Sequence, residues 1–362
     1  MLQRAAILNL IIALLSVSAF GQVDPPKLEP TPDTPKQSSL IKEGVVLHDR
    51  GNYDAAISKY EEVLNENPNS VEALYEMSFS YTMKKDYKKS IELAYRGAQY
   101  NSRLLAAFYL QIGNNLDLLG EPKKSVEVYK AAIKVQPKMA MLYYNLAVSY
   151  RSLSKPDDAR KAVKQAIALN ADHSSSHLFL STLWYQGGYK TPALLAACRF
   201  LALEPASQRS RAALKLVQDV MRGGASSGKN ANEINIFVDP APKKDEGDFA
   251  AVDLALGLTR AVNLAEQKKN ENKTEMQLLV QQFDTFFAIL SEQRGDDKSK
   301  FTWQFYVPYF NAMKQRGYVE PFVYYINQTS SDQEVVKWLN SNKGKVDAFL
   351  AWSKGYQWPS VD

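Results

Sequence analysis

The chain has 362 residues, 45% hydrophobic and 23% charged, and its 44 basic against 39 acidic side chains leave a net charge of +5. That balance fits a globular protein of about two domains and excludes disorder of the whole chain; with charges mixed rather than blocked, nothing calls for a nucleic-acid partner. Three histidines and one cysteine leave little material for nucleophilic or metal chemistry, and Cys198 alone cannot form an internal disulfide.

The N-terminus places Arg4 before an apolar run from Ala5 to Leu15, followed by the small residues Ser16, Ser18, Ala19 and Gly21. This is the pattern of a secretory signal peptide over residues 1–21, and the run is shorter than the roughly 20 apolar residues of a spanning helix. The expectation is export to a periplasm or the exterior, cleavage after Ala19 or Gly21, and no stable membrane insertion afterwards. No cysteine stands at the cleavage point, so a lipid anchor is not expected. Residues 22–36 are rich in proline and read as an extended linker.

From Gln37 to Pro205 the chain repeats every 34 residues, with one extra residue once. Gly44, Ser78, Gly113, Ala147 and Ser181 recur as a small residue on the first helix of each unit. Leu47, Tyr81, Leu116 and Tyr150 follow three residues later. Tyr60 and Tyr129 on the second helix, with Pro68, Pro137 and Pro205 closing three of the units, complete the pattern. A small side chain lets the two helices of a hairpin approach closely, and large residues fill the space beside it. In this period and in these residue types the region resembles the tetratricopeptide repeat (TPR) family. The resemblance implies an all-α fold: a right-handed superhelix of about five helix-turn-helix repeats. The amphipathic segment Gln208 to Met221 is expected to cap its open end, which makes 37–222 one domain.

Residues 223–248 break the helical period with Gly, Ser, Asn and Pro and read as a flexible linker, with Ile234 to Val238 as a possible strand. Helical periodicity returns over 249–358. Helices are expected near 249–267, 275–293, 301–316, 321–327, 333–341 and 345–352, forming a smaller aromatic-rich domain in which no family is recognised.

No catalytic motif, cofactor-binding loop or metal-ligand spacing is present, so an enzyme is not expected and neither is a cofactor. His177 falls in a packing slot and reads as a core filler, whereas His48 and His173 read as surface residues. Asp157 with Asp158, and Asp296 with Asp297, read as solvated turns. The TPR resemblance implies that the first helices line a concave groove holding a protein or peptide segment. Its expected contact residues are Tyr75, Phe79, Asn114, Tyr144, Arg151 and Tyr185. The groove lacks the lysines that clamp a peptide carboxylate and offers aromatic side chains instead. The alternative is recognition of a glycan or cell-wall fragment by the aromatic C-terminal region, with Trp303, Trp338, Trp352 and Trp358 as a stacking platform.

Overall fold

The computed structural model describes residues 25–229, 233–237, 243–269, 273–293, 299–330 and 332–361. The signal peptide expected over 1–21 and the Asp296–Asp297 pair lie outside the described residues. Among the described residues the fold is all-α apart from one short hairpin, and it falls into two compact units that divide between Leu169 and Asn170.

The first unit holds four helical hairpins: α1 (Pro35–Asp49) with α2 (Tyr53–Glu66), α3 (Val71–Met83) with α4 (Tyr87–Gly97), α5 (Leu105–Leu118) with α6 (Pro122–Val135), and α7 (Ala140–Ser152) with α8 (Pro156–Leu169). Local chemistry sets several helix starts. Thr34 and Gln37 form a reciprocal capping box on α1, while Ser70 and Asp86 accept the backbone N–H three residues on at α3 and α4. The turns inside the hairpins need one left-handed residue. Gly51 (φ 80°) and Gly120 (φ 74°) supply it without strain, whereas Lys85 (φ 65°) and Ser154 (φ 56°) adopt it despite their side chains.

In the first and third hairpins the repeated small residue fits against an aromatic ring. A Cβ on Gly44 would stand 2.4 Å from the Tyr60 ring, and one on Gly113 2.3 Å from the Tyr129 ring. Both tyrosines are fully buried. The first helices α1, α3, α5 and α7 pack directly on one another in sequence, each second helix packs on its own partner, and α2, α4 and α6 also pack on the next first helix. The first-helix row is therefore the inner side of this unit.

The described part of the proline-rich stretch, residues 25–34, carries no helix and is not a free linker. Lys27 and Leu28 donate their N–H groups to the Gln99 carbonyl, and the Leu28 carbonyl accepts from Asn101 N at 2.7 Å. Asp33 then receives Asn67 Nδ2 at 3.0 Å and Ser70 Oγ at 3.0 Å. Proline removes donors but leaves carbonyls and flanking carboxylates, which bind the inter-helix turns.

The second unit starts with a fifth hairpin, α9 (Ser174–Gln186) and α10 (Lys190–Leu203), followed by α11 (Gln208–Arg222). Then come β1 (Ala225–Ser227) and β2 (Ile234–Ile236), an antiparallel pair that packs on α12 (Ala250–Lys269). The described part of 223–248 is thus a docked hairpin rather than a flexible linker. Gly224 (φ 82°) permits it, since its Cα approaches the Gly257 backbone too closely for a side chain. Five more helices complete the unit: α13 (Glu275–Glu292), α14 (Val307–Gln315) entered through a π-helical turn at Thr302–Tyr306, α15 (Val319–Ile326), α16 (Gln333–Ser341) and α17 (Lys343–Lys354).

Composition places a domain boundary in 223–248, but contacts place it before α9. The reason lies in α10, where every residue from Thr191 to Ala202 is buried. A helix apolar on all sides needs cover on all sides, and α15, the π-helical turn and α12 supply it. At the centre is Arg199, 1% exposed, with Nη2 on Asp172 Oδ1 at 2.7 Å and Nη1 on Ser353 Oγ at 3.0 Å. Its guanidinium lies 5.1 Å from the Tyr309 ring and 4.8 Å from the Trp358 ring.

His177 is a core residue, as its slot suggests. Its Nε2 donates to the Ala171 carbonyl at 2.9 Å, so its Nδ1 accepts from the Tyr306 hydroxyl at 2.7 Å. Burial, reinforced by Arg199, pulls its pKa down to about 3, so the ring is neutral. Cys198 is buried on the neighbouring helix, and burial pushes its thiol pKa up, away from reactivity.

Candidate functional site

On α3, α5 and α7 three columns of side chains recur at 35 and 34 residues: Tyr75, Leu110, Tyr144; Phe79, Asn114, Val148; and Thr82, Asp117, Arg151. Because these helices pack side by side, the first unit brings five of the six expected groove residues onto its inner row. Tyr75 is half-buried and meets Phe108 edge-on, with ring centroids 5.7 Å apart. Phe79 stacks on His48 at 4.8 Å yet stays 37% exposed. Asn114 is exposed and accepts the Tyr129 hydroxyl at 2.7 Å, Tyr144 is half-buried, and Arg151 is exposed. Met83, Leu118 and Met141, in the same row, are exposed apolar side chains. Tyr185 belongs to the second unit, on α9. There it is exposed and lines a cleft of about 300 Å³ with Phe237 and Leu254.

Beneath the exposed face runs a polar ladder that the motif reading did not anticipate. His48 Nδ1 meets Ser80 Oγ at 2.8 Å, Asn115 Nδ2 donates to Thr82 Oγ1 at 3.0 Å, and Ser149 Oγ donates to Asp117 Oδ2 at 2.7 Å. Each rung joins one repeat to the next. Its signal was present as Ser80, Asn115 and Ser149, polar residues recurring at the repeat period on otherwise apolar faces. His48 is accordingly buried rather than a surface residue, because the next repeat covers it, and burial lowers its pKa. His173 is half-buried, with Nδ1 2.7 Å from Ser176 Oγ.

Asp117 is the strained rung. Its Oδ1 is buried without a hydrogen-bond partner, and burial raises its pKa above the ordinary aspartate value. A carboxyl whose folded pKa is raised stabilises the fold below its ordinary pKa, and that contribution is lost as pH rises through the folded value. Asp117→Asn, which removes the charge while keeping the shape, is therefore expected to raise the melting temperature at pH 7. The gain should shrink towards zero below the aspartate range, a comparison that thermal unfolding at pH 3 and pH 7 makes directly.

A family model of the tetratricopeptide repeat matches residues 41–104 and 144–209, and a second model of the same repeat matches 106–139. Residues 41–209 are a tetratricopeptide repeat region. The chain is also similar over part of its length to two curated relatives. It is 30% identical over 160 residues to the BBSome complex member BBS4 of Mus musculus and 28% identical over 168 residues to that of Bos taurus. The matches cover 43% and 45% of this chain but 30% and 31% of those proteins, so the chain spans less than a third of their length. Among solved structures, the thermophilic TPR protein TTC0263 of Thermus thermophilus matches at 23% identity and TM-score 0.41, over 50% of this chain and 99% of that one. Pseudomonas aeruginosa pilF matches at 17% identity and TM-score 0.45, over 68% of this chain and 96% of that one. Among the described residues no helix is long and apolar enough to cross a membrane.

Proposed function

We propose that this chain is an exported, non-enzymatic adaptor whose first unit holds an extended, apolar-anchored segment of a partner protein along the inner row of the TPR region. Tyr75, Phe79, Asn114, Tyr144 and Arg151 are its contact residues. The observation that carries the proposal is the run of exposed apolar side chains on that row, with Phe79 37%, Met83 45% and Leu118 57% exposed. Apolar groups grouped on one face of a soluble unit mark an interaction site. Of the five contact residues only Arg151 carries a charge. A partner with aliphatic or aromatic anchors suits it better than a charge-clamped terminus. The curated relatives are members of a complex by name, in keeping with an assembly role.

The glycan alternative has less to support it. Trp303 stacks on Phe249 at 4.7 Å, Trp338 on Tyr324 at 4.2 Å, Trp352 on Tyr309 at 5.1 Å and Trp358 on Phe305 at 4.3 Å. Rings packed on rings build a core and leave fewer faces for a sugar.

The test is to capture partners from the native host with the mature chain and to measure affinity across a salt series. Phe79→Ala with Tyr144→Ala should weaken binding by about 2 kcal/mol or more without altering the circular dichroism spectrum. Wild-type affinity should change little with salt. Equal binding by wild type and the double variant would remove the inner row as the site, and a steep salt dependence would favour a charge-driven one. Mass spectrometry of the chain recovered from its host should find an N-terminus at Phe20 or Gln22; intact Met1 would overturn export with cleavage.

A further inference from the structure

The second unit keeps a large apolar face uncovered. Among its described residues Tyr185, Ile236, Phe237, Leu254, Leu258 and Val262 are 39–62% exposed, and Val336 is the one large exposed apolar residue outside this group. The six belong together. Three stand on α12, Ile236 is in β2, which packs on α12, and Phe237 and Tyr185 share with Leu254 the cleft of about 300 Å³. At these exposures the six side chains offer on the order of 500 Å² of apolar surface, as much as the largest patch of a typical monomer. A pair of such faces would bury on the order of 1,000 Å², which is what a specific interface requires.

The spacing of α12 builds the face. At about 100° per residue, Ala251, Leu254, Ala255, Leu258, Ala261, Val262 and Ala265 fall within about 60° on either side of Leu258. Every residue of that sector is alanine, leucine or valine, and each is exposed or half-buried. The opposite side of the helix holds the buried Val252, Leu256 and Asn263. The charged residues between 250 and 265 are turned away as well: Asp253 accepts the Thr191 hydroxyl at 2.6 Å, and Arg260 lines a polar hollow against α11 and α13. A helix that is apolar towards solvent as well as towards the core calls for cover on both sides.

The order of these residues points to the partner. From Ala251 to Ala265 the sector reads small, large, small, large, small, large, small, at offsets of three, four and seven residues on each side of Leu258. It is the same read from either end. A two-fold interface sets residue i against j and j against i, so its surface must complement itself. Laid antiparallel on a second copy, α12 places Leu258 against its own counterpart, Leu254 against the partner's Val262 and Ala251 against the partner's Ala265. The alanines between the large residues let the helix axes approach to about 8–10 Å. The same arrangement puts the partly positive N-terminus of each helix beside the partly negative C-terminus of the other. A partner of different sequence has no need of a palindrome.

We infer that the second unit forms a two-fold homodimer through α12, with Phe237 and Tyr185 at the margin of the contact. The face carries none of the five inner-row contact residues of the TPR region, so this reading and the adaptor reading stand or fall separately.

The full mature chain is followed by sedimentation equilibrium over a dilution series, with circular dichroism to check the fold of each variant. Wild type should dimerise with micromolar or tighter affinity. Leu258→Glu and Leu258→Lys, at an exposed position that tolerates charge, should each weaken dimerisation at least about a hundredfold, because the two-fold sets like charges against each other. Mixed one to one, these two variants should recover a heterodimer, as expected when residue 258 meets its own counterpart. Val336→Glu, on the exposed apolar residue outside the face, should dimerise as wild type does. Wild type monomeric throughout the series, undiminished affinity in Leu258→Glu, or no heterodimer on mixing would each overturn the assignment. Monomeric wild type that binds vesicles of anionic phospholipid, with Leu258→Glu failing to bind them, would overturn it in favour of a bilayer as the occupant.

Discussion

Gly113→Leu should unfold the first unit at a markedly lower temperature than wild type. The third hairpin closes with the Tyr129 ring seated on Gly113, where even a Cβ would come within 2.3 Å of Cζ and 2.6 Å of the hydroxyl oxygen. The ring cannot retreat cheaply, because it is fully buried and its hydroxyl donates to Asn114. The Gly113 backbone is held as well, its carbonyl accepting from Ser125 at 3.0 Å. Overpacking a core typically costs about 1–3 kcal/mol, and this site belongs at the upper end. In a unit of this size that corresponds to a fall on the order of 10 °C in melting temperature. Combining Gly113→Ala with Tyr129→Leu should recover part of the loss, since it trims the ring that the new methyl meets. An unchanged melting temperature for Gly113→Leu, followed by circular dichroism, would show that the hairpin does not close on this residue.

Arg199→Ala should loosen the second unit by about 3–5 kcal/mol, within the usual range for emptying a buried position. The ion pair contributes least to that figure. Asp172 is 65% exposed and would simply rehydrate, so its pairing is worth little. The larger losses are the hydrogen bond to Ser353 and the contacts of the guanidinium with the Tyr309 and Trp358 rings, together with the void left among them. Tryptophan fluorescence should shift to the red as Trp358 meets water, and proteolysis should begin within 355–361. Arg199→Met separates the causes, because it keeps most of the volume and removes only charge and hydrogen bonds. If Arg199→Ala leaves both readouts at wild-type values, Arg199 does not hold the C-terminal segment.

The repeats were legible because their geometry depends on single residue types at fixed spacing. Gly44 facing Tyr60 and Gly113 facing Tyr129 are steric requirements, and such requirements show in a lone sequence. The helices after residue 249 were legible as elements for a simpler reason, their periodicity, and the expected segment 275–293 differs from Glu275–Glu292 by one residue. What those helices cover was not legible, since periodicity locates an apolar face without naming its partner. One signal was available: LLAACRFLAL within α10 is apolar on every side around a single arginine. A solenoid helix with one face in solvent has no use for that pattern. The inner row could be carried over from the repeat register.

The partners of α9 and α10 also have a consequence in time. In the first four hairpins each helix closes on a neighbour made a few dozen residues earlier, so these repeats can form as the chain emerges from the ribosome. The fifth cannot finish so early. His177 waits for Tyr306, 129 residues downstream, and Arg199 for Ser353, 154 residues downstream. At about 5–20 residues per second, translation leaves roughly 8–30 s in which the apolar surface of α10 has been made but its cover has not. Contacts this distant in sequence form late and slow the folding of whatever depends on them. The last repeat to be translated before the C-terminal helices is thus the segment that most needs shielding during synthesis.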